Sequence, residues 1–513
     1  MPNRSSDTLF QLVKSLKKSE KRNFKLYTTR NSSTEDLKII QLFDAMDNME
    51  VYDEAQLLKK TKTIAKQQLS NIKGHLYREI LSSLRLISND ENIDIQLHEQ
   101  LDFARILYNK GLYLQSLKTL DKIKESAKAN NQVTVLLQVL FFEKKIEALH
   151  ITRSMQDRAE QLTAEVDDTN RRLQLIGNLS NLSLQLYSWY IKNGHARNKA
   201  DEDAVQKFFE ERIPLNTEHC SGFYEKLYLY QSYVWYAFIR QDFLLYYRYS
   251  QKWVDLFEKE PFMIEIETAH YIKGMHNLLG AHFDLQNYKK FIETLEEFEK
   301  FSRSETVLHN DNNLIQTFIY LNISRINKRF IEGTFTEGKS LVPSIVEKLN
   351  EYQLFIDRHR VLVFYYKFAS LYFGSGDYET AIDYLNKIIN WKVSLRTDLQ
   401  CYSRLLHLIA HYELENYQLL EYLIKSVYRF MAKMENLGIV EEEIFNFLRH
   451  SFHLSPGELK PEFECLLEKL KKLEKNPFAT RAFSYLDIIS WLESKIQGVP
   501  VQDVIREKFL KRA

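Results

Sequence analysis

Two histidines stand at a spacing that could hold a metal ion. His407 and His411 lie one helical turn apart in the segment LLHLIAHYEL, so both imidazoles would share one helix face. A zinc site needs at least one further ligand, and the nearest carboxylates, Glu413 and Glu415, project away from that face. The pattern therefore favours histidines of a core or a groove, and we predict no metal site.

The motifs of several enzyme classes are absent from the sequence. With only 14 glycines in 513 residues, no segment has the glycine spacing of a phosphate-binding loop or a dinucleotide fingerprint. No HExxH, GxSxG or protein-kinase catalytic run occurs. The three cysteines, Cys220, Cys401 and Cys465, form no CxxC pair and indicate reduced thiols. We expect a protein that is not an enzyme and that uses no cofactor.

One stretch of the chain is rich in aromatic side chains. Residues 227–253 hold seven Tyr, two Trp and two Phe, more than the buried stripes of two helices require. Tyrosine offers a large contact area at low entropic cost and is frequent in binding hot spots. One interpretation is a groove for a peptide or an exposed base, and the other is an aromatic core. The candidate groove residues are Tyr228, Tyr233, Tyr236, Arg240, Tyr247, Arg248 and Lys252.

The first 88 residues are mildly basic, with 16 Lys and Arg against 10 Asp and Glu. Within them, residues 54–81 resemble a helix-turn-helix, with a short helix, a polar turn and a second helix that carries polar side chains. One interpretation is weak contact with nucleic acid, and the other is an ordinary solvated helical head. The candidate contact residues are Lys62, Lys66, Ser70, Asn71, Lys73 and Arg78.

Large and small residues alternate in segment 365–388, YYKFASLYFGSGDYETAIDYLNKI, as two antiparallel helices would need them. Ala369 and Ala381 are small where two helices must approach closely, and residues 375–377 end one helix and begin the next. In the spacing of its large and small residues, the segment resembles a tetratricopeptide repeat. The matching positions are Phe368, Ala369, Tyr372, Gly376, Tyr378, Ala381, Leu385 and Ile388.

A second, degenerate copy lies nearer the N-terminus, where Ser116 replaces the second small alanine. Its matching positions are Ala104, Leu107, Gly111, Tyr113, Leu117, Leu120 and Ile123. Looser copies follow, and we count about seven helix pairs between residues 95 and 440, of irregular length. We therefore expect the chain to repeat one structural unit, the helix pair, although the sequences of the copies have diverged.

The resemblance implies an all-α fold, a right-handed α-solenoid of antiparallel helix pairs. The low content of Gly and Pro, 14 and 8 residues, agrees with long helices and short connections. We expect three regions: a helical N-terminal head at 1–88, a tetratricopeptide-like solenoid at 95–440 and C-terminal capping helices at 441–513.

For function, the resemblance implies a non-enzymatic scaffold that binds a protein or peptide in the groove of the solenoid. One alternative is a regulator whose basic head contacts nucleic acid while the solenoid senses a protein or peptide. A further alternative is a structural subunit of a larger complex. No apolar run suits a secretion signal or a membrane span, so we expect a cytoplasmic protein without membrane contact.

Overall fold

The computed structural model describes residues 8–29, 34–61, 63–88, 92–150, 157–214, 220–353, 355–391, 396–434, 437–451, 454, 456–474, 478 and 487–512. Every regular element in these ranges is a helix, and no strand occurs among them. None of the described helices is both long and apolar enough to cross a membrane. The predicted all-α class is confirmed.

The chain divides into two compact units, Met1–Thr169 and Asn170–Ala513. The first unit contains α1 (Thr8–Ser15), α2 (Lys18–Thr29), α3 (Thr34–Asp47), α4 (Glu54–Lys60), α5 (Lys66–Ser88), α6 (Ile93–Asn109), α7 (Tyr113–Ala129), α8 (Val133–Leu149) and the start of α9 (Arg158–Asn193). The predicted boundaries at residues 88, 95 and 440 stay a prediction.

The second unit contains the end of α9 and a longer series of helices. These are α10 (Lys199–Glu210), α11 (Phe223–Arg240), α12 (Phe243–Lys259), α13 (Met263–Ile266), α14 (Thr268–Asp284), α15 (Tyr288–Phe301), α16 (Glu305–Leu308), α17 (Asp311–Glu332), α18 (Phe335–Gly338), α19 (Val342–Glu351), α20 (Arg358–Gly374), α21 (Tyr378–Ile389), α22 (Thr397–Glu413), α23 (Tyr417–Lys433), α24 (Ile439–Ser451), α25 (Pro456–Leu473), α26 (Ile488–Gln497) and α27 (Val501–Arg512). A 3₁₀ turn, Lys339–Leu341, joins α18 to α19.

The first unit has two apolar cores. Helices α1 to α5 bury Val13, Phe24 and Phe43 in one core, and α6 to α9 bury Leu120 in the other. Ser116, the residue that departs from the repeat pattern, is buried in the second core, where its hydroxyl donates to the Ala104 carbonyl at 2.8 Å. A satisfied hydroxyl costs little when buried, which explains why serine is tolerated where the pattern expects alanine.

The helices of the second unit pack in neighbouring pairs, and α20 with α21 shows why. Ala369 and Ala381 are fully buried where the two helices meet, and Leu385 and Ile388 join the same core. The pair follows the spacing that the sequence predicts, because small residues allow close approach while larger ones fill the space between turns.

One turn motif recurs at the ends of eight helices in the described part of the chain. A residue with positive φ ends each helix, and the next backbone N–H donates to a carbonyl five residues earlier at 2.8 to 3.2 Å. The residues with positive φ are Gly111, Asn131, Gln241, Gln286, Gly333, Gly376, Glu415 and Gly498. The structural repeat is therefore more regular than the sequence repeat, and the handedness of the solenoid stays a prediction.

Helices α26 and α27 return along the turns that join the helix pairs of the second unit. Trp491 donates to Glu413 at the end of α22, Gln502 accepts from Thr336 after α17, and Phe509 packs on Tyr288 after α14. The C-terminal segment thus touches three pairs in reverse chain order. That it also caps the last pair stays a prediction.

Candidate binding surface

The first helices of successive pairs, α11, α14, α17 and α20, are joined side by side through their polar and aromatic side chains. We call this surface of the second unit the first-helix face. The contacts are Tyr224 donating to Glu267 at 2.6 Å, His276 stacked on Tyr320 at 4.2 Å, and Lys367 donating to Asn327 at 2.6 Å.

Cations and aromatic rings alternate at the middle of the first-helix face. We call this group the basic aromatic cluster, and its members are Tyr187, Trp235, Lys273, His276, Tyr320 and Arg360. Lys273 Nζ lies 5.6 Å from the ring centroid of Trp235 and 5.0 Å from that of Tyr320. The Tyr187 ring packs on Trp235 with centroids 4.8 Å apart. Cation–π contacts of this kind hold ammonium groups without a carboxylate partner.

The hydroxyl of Tyr320 is the polar centre of the cluster. Arg360 Nη2 donates to its oxygen at 3.0 Å. Burial by itself raises the pKa of the Tyr320 hydroxyl, but the adjacent Lys273 and Arg360 outweigh it and lower that pKa below 10.0, its ordinary value. The cluster therefore favours negative charge at this position.

The positive charge of the cluster is only partly neutralised by the protein. No carboxylate of the described residues forms an ion pair with Lys273, whereas Arg360 pairs with the half-exposed Asp357 at 3.1 Å. Burial, followed by the charge of Lys273, holds the pKa of His276 well below its ordinary value, so this imidazole is neutral at pH 7. An anionic group of a partner would complement Lys273.

Solvent reaches the cluster from one side. Tyr187 is 39% exposed and Trp235 is partly exposed, whereas Tyr320 is only 7% exposed and forms the floor. Exposed rings above a buried tyrosine that is flanked by two cations can pack against an extended chain and hold an acidic group at the same time.

The seven groove residues predicted from the sequence do not form one surface. Tyr233 and Tyr236 pack on Phe209 of α10, with centroids 5.0 and 4.1 Å apart, and Arg240 pairs with Glu202 of the same helix at 2.7 Å. The other four are Tyr228 beside His270, Tyr247 beside His282, Lys252 over the Tyr249 ring and Arg248 exposed on α12. Of these seven, Tyr228 lies on the first-helix face, and the partner-binding role of the set stays a prediction.

Five of the six candidate nucleic-acid residues lie on α5 of the first unit. Lys66, Ser70, Asn71 and Arg78 are exposed. Lys73 is partly buried and donates to the Tyr52 hydroxyl at 2.7 Å. Lys62 lies outside the described residues. Contact between these side chains and nucleic acid stays a prediction.

His407 and His411 are both buried in α22, with their rings edge to face and 4.4 Å apart. Burial is the main cause that lowers the pKa of His407 to about 4, and the charge of His411 is the second cause. Burial also lowers the pKa of His411. The described residues contain no group of three or more ligating side chains that could hold a metal ion.

Sequence reasoning missed the residues at the centre of the cluster. Lys273, Tyr320 and Arg360 come from three different helices, and none stands in an aromatic-rich stretch such as 227–253. A signal did exist, because Arg360 contacts Tyr320 and Lys367 contacts Asn327 across the same separation of 40 residues. Aligning α17 with α20 at that offset would have paired these positions.

Comparison with known proteins identifies one repeat. Residues 362–392, which cover most of α20 and all of α21, match the family model described as tetratricopeptide repeat. No curated protein and no solved structure matches the chain. The match falls on the helix pair whose packing follows the spacing that the sequence predicts. The protein is a tetratricopeptide-like helical repeat protein.

Proposed function

We propose that the protein is a non-catalytic scaffold that binds an extended, acidic segment of a partner protein on its first-helix face. Tetratricopeptide repeats generally mediate protein contacts, which supports an interaction role at the level of the family. The observation that carries the finer proposal is Lys273, whose ammonium lies over two aromatic rings without a carboxylate partner among the described residues.

The binding mode follows from the chemistry of the cluster. A carboxylate of the partner would lie between Lys273 and Arg360, near the Tyr320 hydroxyl, where charge-assisted hydrogen bonds are strong. The rings of Tyr187 and Trp235 would pack against neighbouring apolar side chains of the same segment. Because the cations are near the surface, affinity should fall as ionic strength rises.

A displayed library of random peptides, selected on the full-length protein, tests this proposal. We expect enrichment of peptides that combine Asp or Glu with aromatic or branched residues. Lys273→Glu should weaken the selected peptides at least about tenfold in fluorescence anisotropy, because it places like charge opposite the acid. Lys300→Glu, at an exposed position on α15, is the matched control and should bind as the wild type does.

Two results would overturn the proposal. One is enrichment of peptides without acidic residues. The other is equal binding by the Lys273→Glu and Lys300→Glu variants, which would show that the basic aromatic cluster does not make the contact.

A second candidate function is a regulator whose head contacts nucleic acid. Its support is the exposed row of Lys66, Ser70, Asn71 and Arg78 on α5. A double variant, Lys66→Glu with Arg78→Glu, should abolish any low-salt affinity for duplex DNA or single-stranded RNA. Absence of such affinity in the wild type at low salt would end this candidate. Membership of a larger complex stays a prediction.

A further inference from the structure

A cavity of about 1110 Å³ lies in the second unit between the first helices and the returning helix α27. Its walls combine aromatic and charged side chains, and the aromatic ones include Phe243, Phe283, Phe330, Phe373 and Phe509. Ligand pockets are typically apolar cavities of this order of size with a few polar groups that fix orientation. This cavity therefore has the general character of a small-molecule site.

Two opposite charges enter the cavity from α14 and α20, the first helices on either side of α17. The side chain of Asp284, the last residue of α14, makes no hydrogen bond or ion pair with any of the described residues. Lys367 of α20 donates to Asn327 at 2.6 Å and lies 5.4 Å from the Phe330 ring centroid. Asp284 and Lys367 sense each other's charge but do not form an ion pair.

This arrangement is costly for the protein alone. Burial raises the pKa of Asp284 to about 7 and lowers that of Lys367 to about 8, so each group resists ionisation near neutral pH. Two apolar side chains of similar size would avoid that cost. Retained, separated charges in an aromatic cavity are the pattern of a recognition site.

We propose that this cavity binds a small amphiphilic zwitterion, of the class of α-amino acids with a large apolar side chain. The ammonium group of the ligand contacts the Asp284 carboxylate, and its carboxylate contacts the Lys367 ammonium. The apolar body packs against the phenylalanine walls. This inference goes beyond the proposed peptide surface and does not depend on it, because the cavity residues are not members of the basic aromatic cluster.

The separation of charges gives the specificity. A molecule with only an ammonium group would satisfy Asp284 and leave Lys367 without an anion, and a molecule with only a carboxylate would do the reverse. Only a ligand with both groups satisfies both helices, because each buried charge gains a partner.

Isothermal titration calorimetry on the full-length protein tests the proposal with matched probes. We expect L-tryptophan, L-phenylalanine, L-leucine or L-methionine to bind, and the best of them to bind at least about tenfold tighter than its analogues that lack one charge. For L-tryptophan these analogues are tryptamine and indole-3-propionate.

Two variants separate the two contacts. Asp284→Asn should abolish the preference for tryptophan over indole-3-propionate, because the ammonium contact is lost. Lys367→Met should abolish the preference for tryptophan over tryptamine. Lys300→Met, at an exposed position on α15 outside the cavity, is the control and should leave both preferences unchanged.

The proposal is overturned if none of the four amino acids binds the wild type. It is also overturned if the Asp284→Asn and Lys367→Met variants bind these ligands as the wild type does. Selected acidic peptides provide an independent readout. They should bind the Asp284→Asn variant normally, because Asp284 takes no part in the first-helix face, so failure of the cavity proposal is distinguishable from failure of the peptide proposal.

Discussion

The indole N–H of Trp491 donates to the carboxylate of Glu413 at 2.6 Å, which ties α26 to the end of α22. Trp491 is fully buried, and Lys495 donates to the other carboxylate oxygen at 2.8 Å. Glu413→Ala should lower the free energy of unfolding by about 1 to 3 kcal/mol, because the indole N–H is left buried without its acceptor.

Urea unfolding followed by tryptophan fluorescence measures this effect. Glu421→Ala is the control, since Glu421 forms an exposed pair with Lys425 and should change stability by less than about 0.5 kcal/mol. Equal losses in the two variants would contradict the assignment of Glu413 as the anchor of α26.

Glu143 is fully buried in the first unit between two cations. Lys124 pairs with it at 2.8 Å, and Arg158 contacts its other oxygen. Burial lowers the pKa of Lys124, so this lysine depends on its carboxylate partners. Glu143→Gln should cost about 3 kcal/mol, because it leaves two cations facing each other in the interior.

A compensated variant tests the origin of that loss. Lys124→Met combined with Glu143→Leu should recover most of the stability in urea unfolding, since Arg158 can turn toward solvent. If the double variant is no more stable than Glu143→Gln, lost packing rather than unpaired charge is the cause.

Two turns with the same geometry respond oppositely to substitution. Glu415 has a φ of 57° and Gly376 a φ of 81°, a region that only glycine adopts without strain. Glu415→Gly should raise stability by up to about 1 kcal/mol, and Gly376→Ala should lower it by about 1 kcal/mol. A Cβ at residue 376 meets no atom within 4 Å, so the loss would be conformational. Urea unfolding measures both changes, and changes of the same sign in the free energy of unfolding would contradict this prediction.

The same turns show how far the sequence predicts the fold. Where glycine stands, as at Gly111 and Gly376, the sequence marks the end of the first helix. Where Gln241 or Glu415 adopts the same conformation, no glycine marks the turn, although its backbone hydrogen bond is the same. Residue type therefore predicts helix pairs and their approximate number, whereas the regular turn is imposed by the packing of neighbouring helices.

The candidate surface was less predictable for a related reason. The aromatic composition of residues 227–253 predicts a binding surface there. In the structure, however, Tyr236 and Arg240 from that stretch pack against α10. Lys273, Tyr320 and Arg360 meet only because three first helices lie side by side. Such a cluster depends on how the first helices of successive repeats are aligned along one another. The periodicity of apolar residues within a single helix does not predict that alignment.

Tyr320 should titrate below pH 10.0, its ordinary value, because Lys273 and Arg360 outweigh the effect of burial. The tyrosinate signal in near-ultraviolet difference absorbance should therefore begin at lower pH in the wild type than in Tyr320→Phe. Lys273→Met should move this early phase toward higher pH. Identical titration curves for the wild type and Tyr320→Phe would contradict the electrostatics of the cluster.

Asp284 should make stability fall as pH rises. Its folded pKa of about 7 lies above the ordinary 3.8, so its contribution is full below about 4 and is lost as pH rises toward 7. From pH 5 to pH 8, the wild type should lose about 2 to 3 kcal/mol more than Asp284→Asn in urea unfolding.

This comparison cancels the other charges around the cavity, which are present in both proteins. They are Lys289, Glu293, Lys367, Glu474, Asp487, Lys508 and Arg512. A pH profile for Asp284→Asn that runs parallel to that of the wild type would show that Asp284 does not titrate in this range.

The return of α27 along the turns changes how the second unit can unfold. Arg512 Nη1 donates to Gln286 across 226 residues of sequence, and Arg506 donates to the Glu332 carbonyl across 174. An array in which each repeat touches only its neighbours can fray one repeat at a time from its end. Here the terminal helix is bonded to pairs far upstream, so its release removes contacts from the middle of the array. The contacts between α14 and α27 therefore form a closed loop, and we expect the helix pairs within it to unfold together and not one after another from the end.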